Sequence, residues 1–218
     1  LSWQKLLLTK LHINLMPHRH IVDRCIDTLA SLGVVNDQQA MDYFVPENVT
    51  LRSNDIPTSH QLGYVALVIG ASYASKKLPV AQLRTLCALI PYPIILIGGK
   101  EDQEEGNQIA NVDSVKVYNA CGKFNLHESA LLIKGAKTVV SHDTGMLYIA
   151  CAYHKKVVAI WGATSPALQV KPYGAPAHFN SIVEGLSCQP CSNYGTKQCP
   201  QGHFACMKKQ NLHAIQQK

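Results

Sequence analysis

The sequence has no long apolar run and little charge of either sign. No stretch approaches the roughly 20 consecutive apolar residues that a transmembrane helix needs, so a membrane-spanning helix is excluded. Charged residues make up 16% of the 218 residues and hydrophobic residues 47%. This composition excludes a disordered chain and predicts a folded protein of one or two domains with a substantial core.

The N-terminus lacks the features of an exported protein. The chain begins Leu1-Ser2-Trp3, without an initiator Met, a basic n-region or a small-residue cleavage site. We therefore expect a soluble, cytoplasmic protein, and the absence of the Met suggests a fragment of a longer chain.

Positive charge is in excess but is not dense. The formal net charge is +6, and the residues after Glu184 include four lysines and no carboxylate. No block of Lys and Arg forms the stripe that is typical of nucleic-acid-binding proteins, so we expect no nucleic-acid partner. The basic C-terminal residues are suited to an anionic membrane surface, which makes peripheral association with the inner face of the inner membrane a hypothesis.

Several common catalytic and cofactor-binding motifs are absent. The sequence contains neither the G-x-G-x-x-G dinucleotide fingerprint nor a P-loop, so ordinary NAD or ATPase chemistry is not supported. The absence of a G-x-S-x-G elbow argues against an α/β-hydrolase. None of the ten histidines has H-E-x-x-H spacing, and we interpret His18 and His20 as surface or packing residues.

The eight cysteines form two groups. Four are scattered among apolar neighbours and are interpreted as small buried hydrophobes: Cys25, Cys87, Cys121 and Cys151. The other four crowd into nineteen residues as C-x2-C-x7-C-x6-C: Cys188, Cys191, Cys199 and Cys206. Short loops could let these four thiolates hold a structural zinc ion, while disulfides and reduced thiols are alternatives that the spacing leaves open.

Strands and helices alternate through the middle of the chain. Continuous apolar runs predict five buried strands, at 64–69, 94–97, 114–118, 138–141 and 157–161. Apolar residues at helical spacing predict helices at 79–90, 126–134 and 144–153. This alternation is typical of a Rossmann-like, doubly wound α/β domain with a parallel sheet.

Three loops that follow predicted strands are rich in glycine and polar side chains. Ligands of an open α/β sheet bind beyond the carboxyl ends of its strands, so we expect these loops to lie together around a ligand. The three loops are 70–77, 98–102 and 141–145.

The loops carry groups that suit different parts of a nucleotide. Hydroxyls and two lysines in the first loop, Lys76 and Lys77, suit phosphate, and Asp102 suits the vicinal hydroxyls of a ribose. Asp143 and Thr144 begin a predicted helix whose N-terminal N–H groups form an anion site. Ordinary solvated loops, with Asp143 or Thr144 as a helix N-cap, are the alternative.

Taken in order, the loops resemble the second domain of glycosyltransferase family 9, the heptosyltransferase-like enzymes of the GT-B fold. Residues 139–150, VVSHDTGMLYIA, are similar to the family's D-T-G-x-x-H-x-A motif, and residues 157–174 to its strand, G-x-T-x-P and P-Y-G run. Residues 70–79 resemble its G-A-S…K-R-W-P segment, and residues 122–126 resemble its G-K-x-S-L. The resemblance covers residues 15–210.

Two positions depart from the family's pattern. Tyr148 stands where the family has a His after D-T-G, and Leu78 stands where it has a Trp. A neutral phenol therefore replaces an imidazole that can bind phosphate, which bears on the identity of the donor.

The resemblance implies transfer of a sugar from an ADP- or UDP-sugar donor to a lipopolysaccharide, lipid-linked or related glycan acceptor, with no cofactor required. By position, Lys76 would bind the donor phosphates, Asp102 the ribose and Phe124 the base. The residues from Asp143 to Gly145 would line the diphosphate and sugar. The full set of implied donor-binding residues is Ser72, Lys76, Asp102, Phe124, Asp143, Thr144, Gly145 and Tyr148.

The resemblance also implies one complete domain of a two-domain enzyme. We predict the end of an N-terminal Rossmann-like domain and a linker at 1–60, a nucleotide-sugar-binding domain at 61–185, and a Cys-rich basic tail at 186–218. Within the first part, a helix over 22–32 ends at Gly33. The acceptor site and the general base would lie in the missing part, so we expect nucleotide binding without sugar transfer by this chain alone.

Two further functions stay open. A GT-B-fold sugar epimerase would use the same donor site but would need acid and base residues that the sequence does not identify. A non-catalytic nucleotide-binding or zinc-stabilised interaction module would instead depend on the cysteine-rich tail.

Overall fold

The protein forms a six-stranded parallel sheet with helices on both faces. The computed structural model describes residues 2–218, so Leu1, where the N-terminal helical pattern begins, lies outside the described residues. The strands are β1 (Val65–Val68), β2 (Ile94–Ile97), β3 (Val117–Asn119), β4 (Thr138–His142), β5 (Lys156–Ile160) and β6 (His178–Ser181). Their order is β3-β2-β1-β4-β5-β6 and every pair is parallel, which confirms the predicted doubly wound α/β fold.

Helices connect most of the strands and continue at both ends of the chain. The α-helices are α1 (Ser2–Leu6), α2 (Ile21–Asp27), α3 (Val80–Leu89), α4 (Gln103–Ala110), α5 (Leu126–Gly135), α6 (Gly145–Ala152), α7 (Ala205–Lys208) and α8 (Leu212–Gln216). Helices α3, α5 and α6 confirm the three that apolar spacing predicts between the strands. Among residues 2–218, no helix combines the length and the apolarity that a bilayer span requires.

The core consists of an apolar layer on each face of the sheet. In β1 and the residue after it, Leu67 and Ile69 belong to the layer beneath α3, whereas Ala66 and Val68 belong to the layer beneath α5 and α6. Because successive side chains of a strand point to opposite faces, a strand that is buried on both faces has a continuous apolar sequence. This is why the sequence predicts the central strands correctly.

The structure corrects the predicted strands at two places. The third strand begins at Val117, not at residue 114, because the Asp113 carboxylate accepts hydrogen bonds from Val115 N and Lys116 N at 3.2 and 3.0 Å and holds a turn there. Strand β6 is not predicted from the sequence, because His178–Ser181 pairs with β5 at the edge of the sheet and has no apolar run. Helix α4 is not predicted either, because its sequence QEEGNQIA buries only Gly106 and Ile109.

The first sixty residues contain little regular structure. Helix α2 ends at Asp27, so it is shorter than predicted, but a 3₁₀ turn follows and Gly33 adopts the expected left-handed conformation with a φ of +76°. Helix α2 buries none of its residues, and Cys25 is therefore exposed, contrary to prediction. The other three scattered cysteines are buried as predicted. His20 is a packing residue that caps α2, and His18 is exposed.

The C-terminal residues pack against the sheet. Helices α7 and α8 place Cys206, Met207 and Ile215 in the same apolar layer as Leu67. The side chain of Gln210 is also buried, and it donates to the backbone oxygens of Trp161 and Cys206 at 3.0 and 2.8 Å. The cysteine-rich segment thus contributes to the core. The predicted domain boundaries themselves stay a prediction.

Candidate functional site

A cavity of about 580 Å³ lies at the carboxyl edge of the sheet, where the predicted loops meet. The loops after β1, β2 and β3 and the start of α6 line it. Five of the eight predicted donor-binding residues are among the lining residues: Ser72, Asp102, Phe124, Thr144 and Gly145. The cavity therefore brings together the three loops that the sequence analysis expected to share a ligand, while the roles of the individual residues stay predictions.

Lys76 and Asp143, two further predicted residues, form a buried ion pair beside this cavity. Lys76 Nζ lies 2.8 Å from Asp143 Oδ2 and donates to the backbone oxygen of Asp143 at 3.0 Å. The hydroxyl of Thr164, in the loop after β5, donates to the same Oδ2 atom at 2.8 Å. The pair joins the loop after β1 to the end of β4 and fixes one positive charge next to the start of α6.

The N-terminus of α6 opens into the cavity. Thr144 occupies the N-cap position but its side chain makes no capping hydrogen bond, and the Asp143 carboxylate is bound to Lys76 and Thr164. Thr144 is therefore the N-cap residue by position, as the alternative predicts, but its side chain does not cap the helix. Neither side chain covers the N–H groups of the first turn, and such groups, with the helix dipole, favour an anion.

Tyr148, the eighth predicted residue, is not among the residues that line the cavity. Its hydroxyl donates to the backbone oxygen of Val170 at 2.8 Å, and burial, with the charge of Asp143, raises the pKa of Tyr148 above its ordinary value. The phenol is thus neutral and fixed to the segment that follows β5.

Asp102 is held by more contacts within the protein than the sequence predicts. It is buried, its Oδ1 lies 2.8 Å from Lys77 Nζ, and its Oδ2 accepts from Gly99 N at 2.9 Å. Lys77 also contacts Glu105 at 2.7 Å. Burial lowers the pKa of Lys77, but its hydrogen bonds to Asp102 and Glu105 outweigh burial and raise it overall. A Cβ at Gly70 would lie 2.5 Å from Asp102 Oδ2, so a glycine is needed there.

The neighbouring carboxylate, Glu101, is free to reach a ligand. It lines the cavity, is exposed, and within residues 2–218 makes no side-chain hydrogen bond or ion pair. Glu101 is not among the predicted donor-binding residues, because two adjacent carboxylates after a strand give no indication of which one stays unpaired. The ribose role of Asp102 stays a prediction.

His142 is a second residue that the sequence analysis passed over. It ends β4, is fully buried, and its Nε2 accepts a hydrogen bond from Leu78 N at 2.9 Å. Burial, with the charge of Lys77, lowers the pKa of His142 to about 3. A neutral imidazole therefore links β4 to the segment that carries both lysines. Only its position next to Asp143 hinted at this role.

The four C-terminal cysteines lie near one another, but they do not form a closed ligand set. Burial, with the charges of the three neighbouring thiols, raises the pKa of Cys206 to about 12. Cys188 Sγ lies 3.8 Å from His203 Nε2, and Cys199 Sγ accepts from Phe204 N at 3.4 Å. Across residues 2–218 no three His, Cys, Asp or Glu side chains are placed to hold a metal ion. The structural zinc ion stays a prediction.

The sheet order and the position of the cavity place the chain in the class of Rossmann-like, doubly wound α/β domains. The family model for glycosyltransferase family 9 (heptosyltransferase) matches residues 4–202. The chain belongs to this family, which confirms the resemblance seen in its loops.

The curated relatives are named lipopolysaccharide or lipooligosaccharide heptosyltransferases. Lipooligosaccharide heptosyltransferase 2 of Campylobacter jejuni is 31% identical over 146 residues, which cover 64% of this chain and 45% of the relative. Lipopolysaccharide heptosyltransferase 2 of Salmonella typhimurium is 28% identical over 125 residues, covering 54% of this chain and 36% of the relative. The chain thus spans less than half the length of these relatives.

Solved structures of the family share the fold. A family 9 glycosyltransferase from Veillonella parvula superimposes with a TM-score of 0.61 at 20% identity, covering 75% of this chain and 49% of that one. The E. coli heptosyltransferase WaaC with ADP superimposes with a TM-score of 0.59 at 23% identity, covering 78% and 52%.

Proposed function

We propose that this chain is the donor-binding half of a glycosyltransferase that moves a heptose or related sugar from an ADP-sugar to a lipopolysaccharide-type acceptor. The observation that carries the proposal is the buried pair of Lys76 and Asp143 beside a cavity into which α6 points its uncapped N-terminus. Fixed positive charge and oriented N–H groups stabilise a diphosphate as it departs from a sugar. The relatives' names and the ADP of the WaaC structure support the choice of donor.

The opposite side of the cavity suits the nucleoside. Phe124 offers an apolar surface for a base, and Glu101 offers a free carboxylate for the two ribose hydroxyls. We assign the acceptor and the general base to the part of the longer relatives that this chain does not match. An epimerase would need both an acid and a base. Within residues 2–218 the cavity lining offers the free carboxylate of Glu101, but its second carboxylate, Asp102, is held by Lys77 and Gly99.

Membrane association stays a separate proposal. Lys208 and Lys209, at the end of α7, are exposed and lie in the segment that has lysines and no carboxylate. A basic surface of this kind is attracted to anionic lipid. Removal of the whole tail could not test it cleanly, because Met207 and Ile215 belong to the core.

Calorimetric titration of the purified chain with ADP and UDP tests the proposed function. We expect saturable binding of ADP with a dissociation constant in the micromolar range, corresponding to about −8 kcal/mol at 1 μM, and weaker binding of UDP. If UDP bound more tightly than ADP, the proposed donor would be a UDP-sugar. No binding of either nucleotide would favour the non-catalytic interaction module instead.

Glu101→Gln tests the assignment of the ribose. Loss of a charge-assisted hydrogen bond should weaken ADP binding by about tenfold, while 2′,3′-dideoxy-ADP, which lacks both hydroxyls, should bind the variant and the unchanged chain equally. Asp102→Asn is the matched control, since it should lower the melting temperature without changing the ratio of the two affinities. If Asp102→Asn alone abolished the preference for ADP over the dideoxy nucleotide, the sequence-based assignment to Asp102 would be correct.

A further inference from the structure

A short segment of the C-terminal region, residues 189–196, lies across the loop that follows β5. The side-chain amide of Gln189 donates through Nε2 to three backbone oxygens of this loop, those of Trp161, Gly162 and Thr164, at 3.2, 2.8 and 3.2 Å. An amide has only two N–H hydrogens, so the three oxygens share them. Gln189 therefore binds the backbone carbonyl groups of the loop just beyond the end of β5.

Backbone hydrogen bonds from the same segment complete the contact. Cys191 N and Ser192 N both donate to the oxygen of Ala163, at 3.0 and 3.1 Å. Together with Gln189, they bind the oxygens of four consecutive residues, 161 to 164. Ala163 and Thr164 are almost fully buried, so an unpaired carbonyl here would be costly.

The far end of segment 189–196 holds the loop after β1. Thr196 N donates to Ser75 Oγ at 2.7 Å, and Ser75 N donates to the Thr196 oxygen at 3.2 Å. The Ser75 oxygen in turn accepts from Ala163 N at 3.1 Å. A Cβ at Gly162 would collide with the Ser75 oxygen, which explains how the two loops approach so closely.

Both members of the buried ion pair depend on these two loops. Lys76 directly follows Ser75, and Asp143 Oδ2 accepts the Thr164 hydroxyl at 2.8 Å as well as Lys76 Nζ at 2.8 Å. Segment 189–196 thus fixes the cation through the loop after β1, and the carboxylate through the loop after β5.

We propose that Gln189 is a positioning residue for the diphosphate end of the donor site, a role that rests on the proposed function. Its amide keeps Thr164 aligned with Asp143 and so keeps Lys76 beside the start of α6. The nucleoside end of the cavity, with Glu101 and Phe124, has no hydrogen bond to segment 189–196. Loss of the Gln189 amide should therefore affect the binding of phosphate and spare the binding of nucleoside.

Gln189→Ala tests this role through two ligands that differ only in their phosphates, ADP and adenosine. We expect ADP affinity to fall by about tenfold and adenosine affinity to stay within about twofold, as loss of one well-formed hydrogen-bond network at one end of the site predicts. Calorimetry measures the first affinity and NMR titration the second. Gln201→Ala, on an exposed residue of the same region, should change neither.

A second variant covers the case in which Gln189→Ala does not fold. Thr164→Val keeps the shape of the side chain but removes the hydroxyl that binds Asp143, and it should produce the same loss for ADP and not for adenosine. Equal losses for the two ligands, or unchanged ADP affinity in a folded Gln189→Ala protein, would overturn the inference. Failure of the unchanged chain to bind ADP would instead overturn the proposed function.

Discussion

Replacement of Lys76 by methionine is expected to abolish ADP binding and to lower the free energy of unfolding by about 3–5 kcal/mol. The side chains of Lys76 and Asp143 are only 14% and 10% exposed, so water screens their charges little. Methionine fills similar space but leaves the buried carboxylate with the Thr164 hydroxyl and without a cation. Calorimetric titration measures the first effect, and urea denaturation measures the second.

Two control variants separate binding from stability. Asp143→Asn in the Lys76→Met background removes the uncompensated charge, so most of the lost stability should return while ADP binding should not. Lys77→Met breaks the comparably buried pair with Asp102 and should lower stability without abolishing ADP binding. If the Lys76→Met protein bound ADP as tightly as the unchanged chain, Lys76 would have no role in binding phosphate.

Lys76 and Lys77 bind different carboxylates, and this difference shows which parts of the site could be predicted from the sequence. The loops at the carboxyl edge were predictable, because strands of one parallel sheet end at the same edge. Which lysine meets which carboxylate was not predictable. Strand β1 lies between β2 and β4, so the loop after it reaches both neighbours: Lys76 binds Asp143 after β4, and Lys77 binds Asp102 after β2.

The same reasoning explains the parts of the fold that the sequence did not reveal. A strand that is buried on both faces, such as β1, has a continuous apolar sequence, whereas an edge strand such as β6 does not. Contacts between residues that are far apart in the chain are even harder to predict from the sequence. The amide of Gln189 reaches the loop after β5 from a segment whose composition indicated only cysteines and loops.

A further expected result concerns acid stability. Through His142, the free energy of unfolding should decrease by about 1.4 kcal/mol per pH unit as the pH falls below 6.5. The pKa of His142 is lowered to about 3 by burial and by the charge of Lys77. Between pH 6.5 and pH 3 the unfolded chain therefore binds a proton at this imidazole that the folded chain does not, so acid favours unfolding. Above that range the imidazole is neutral in both states and adds no slope.

His142→Gln isolates this contribution from those of other groups. The glutamine oxygen can accept the hydrogen bond that Leu78 N donates to Nε2, but glutamine does not titrate. The unchanged chain should therefore lose stability relative to the variant as the pH falls, measured by urea denaturation from about pH 7 to pH 4. Burial also lowers the pKa of His20, but His20 is present in both proteins and cancels in the difference.

His213→Gln provides the matched control, because His213 is exposed on α8. It makes the same exchange of side chains away from Leu78, so a difference that appears in His142→Gln and not in His213→Gln belongs to His142. If the difference between the unchanged chain and His142→Gln did not vary with pH, His142 would take up its proton in the folded and unfolded states alike. The hydrogen bond from Leu78 N to Nε2 would then be lost below about pH 6.5 in the folded chain, since a protonated Nε2 cannot accept it.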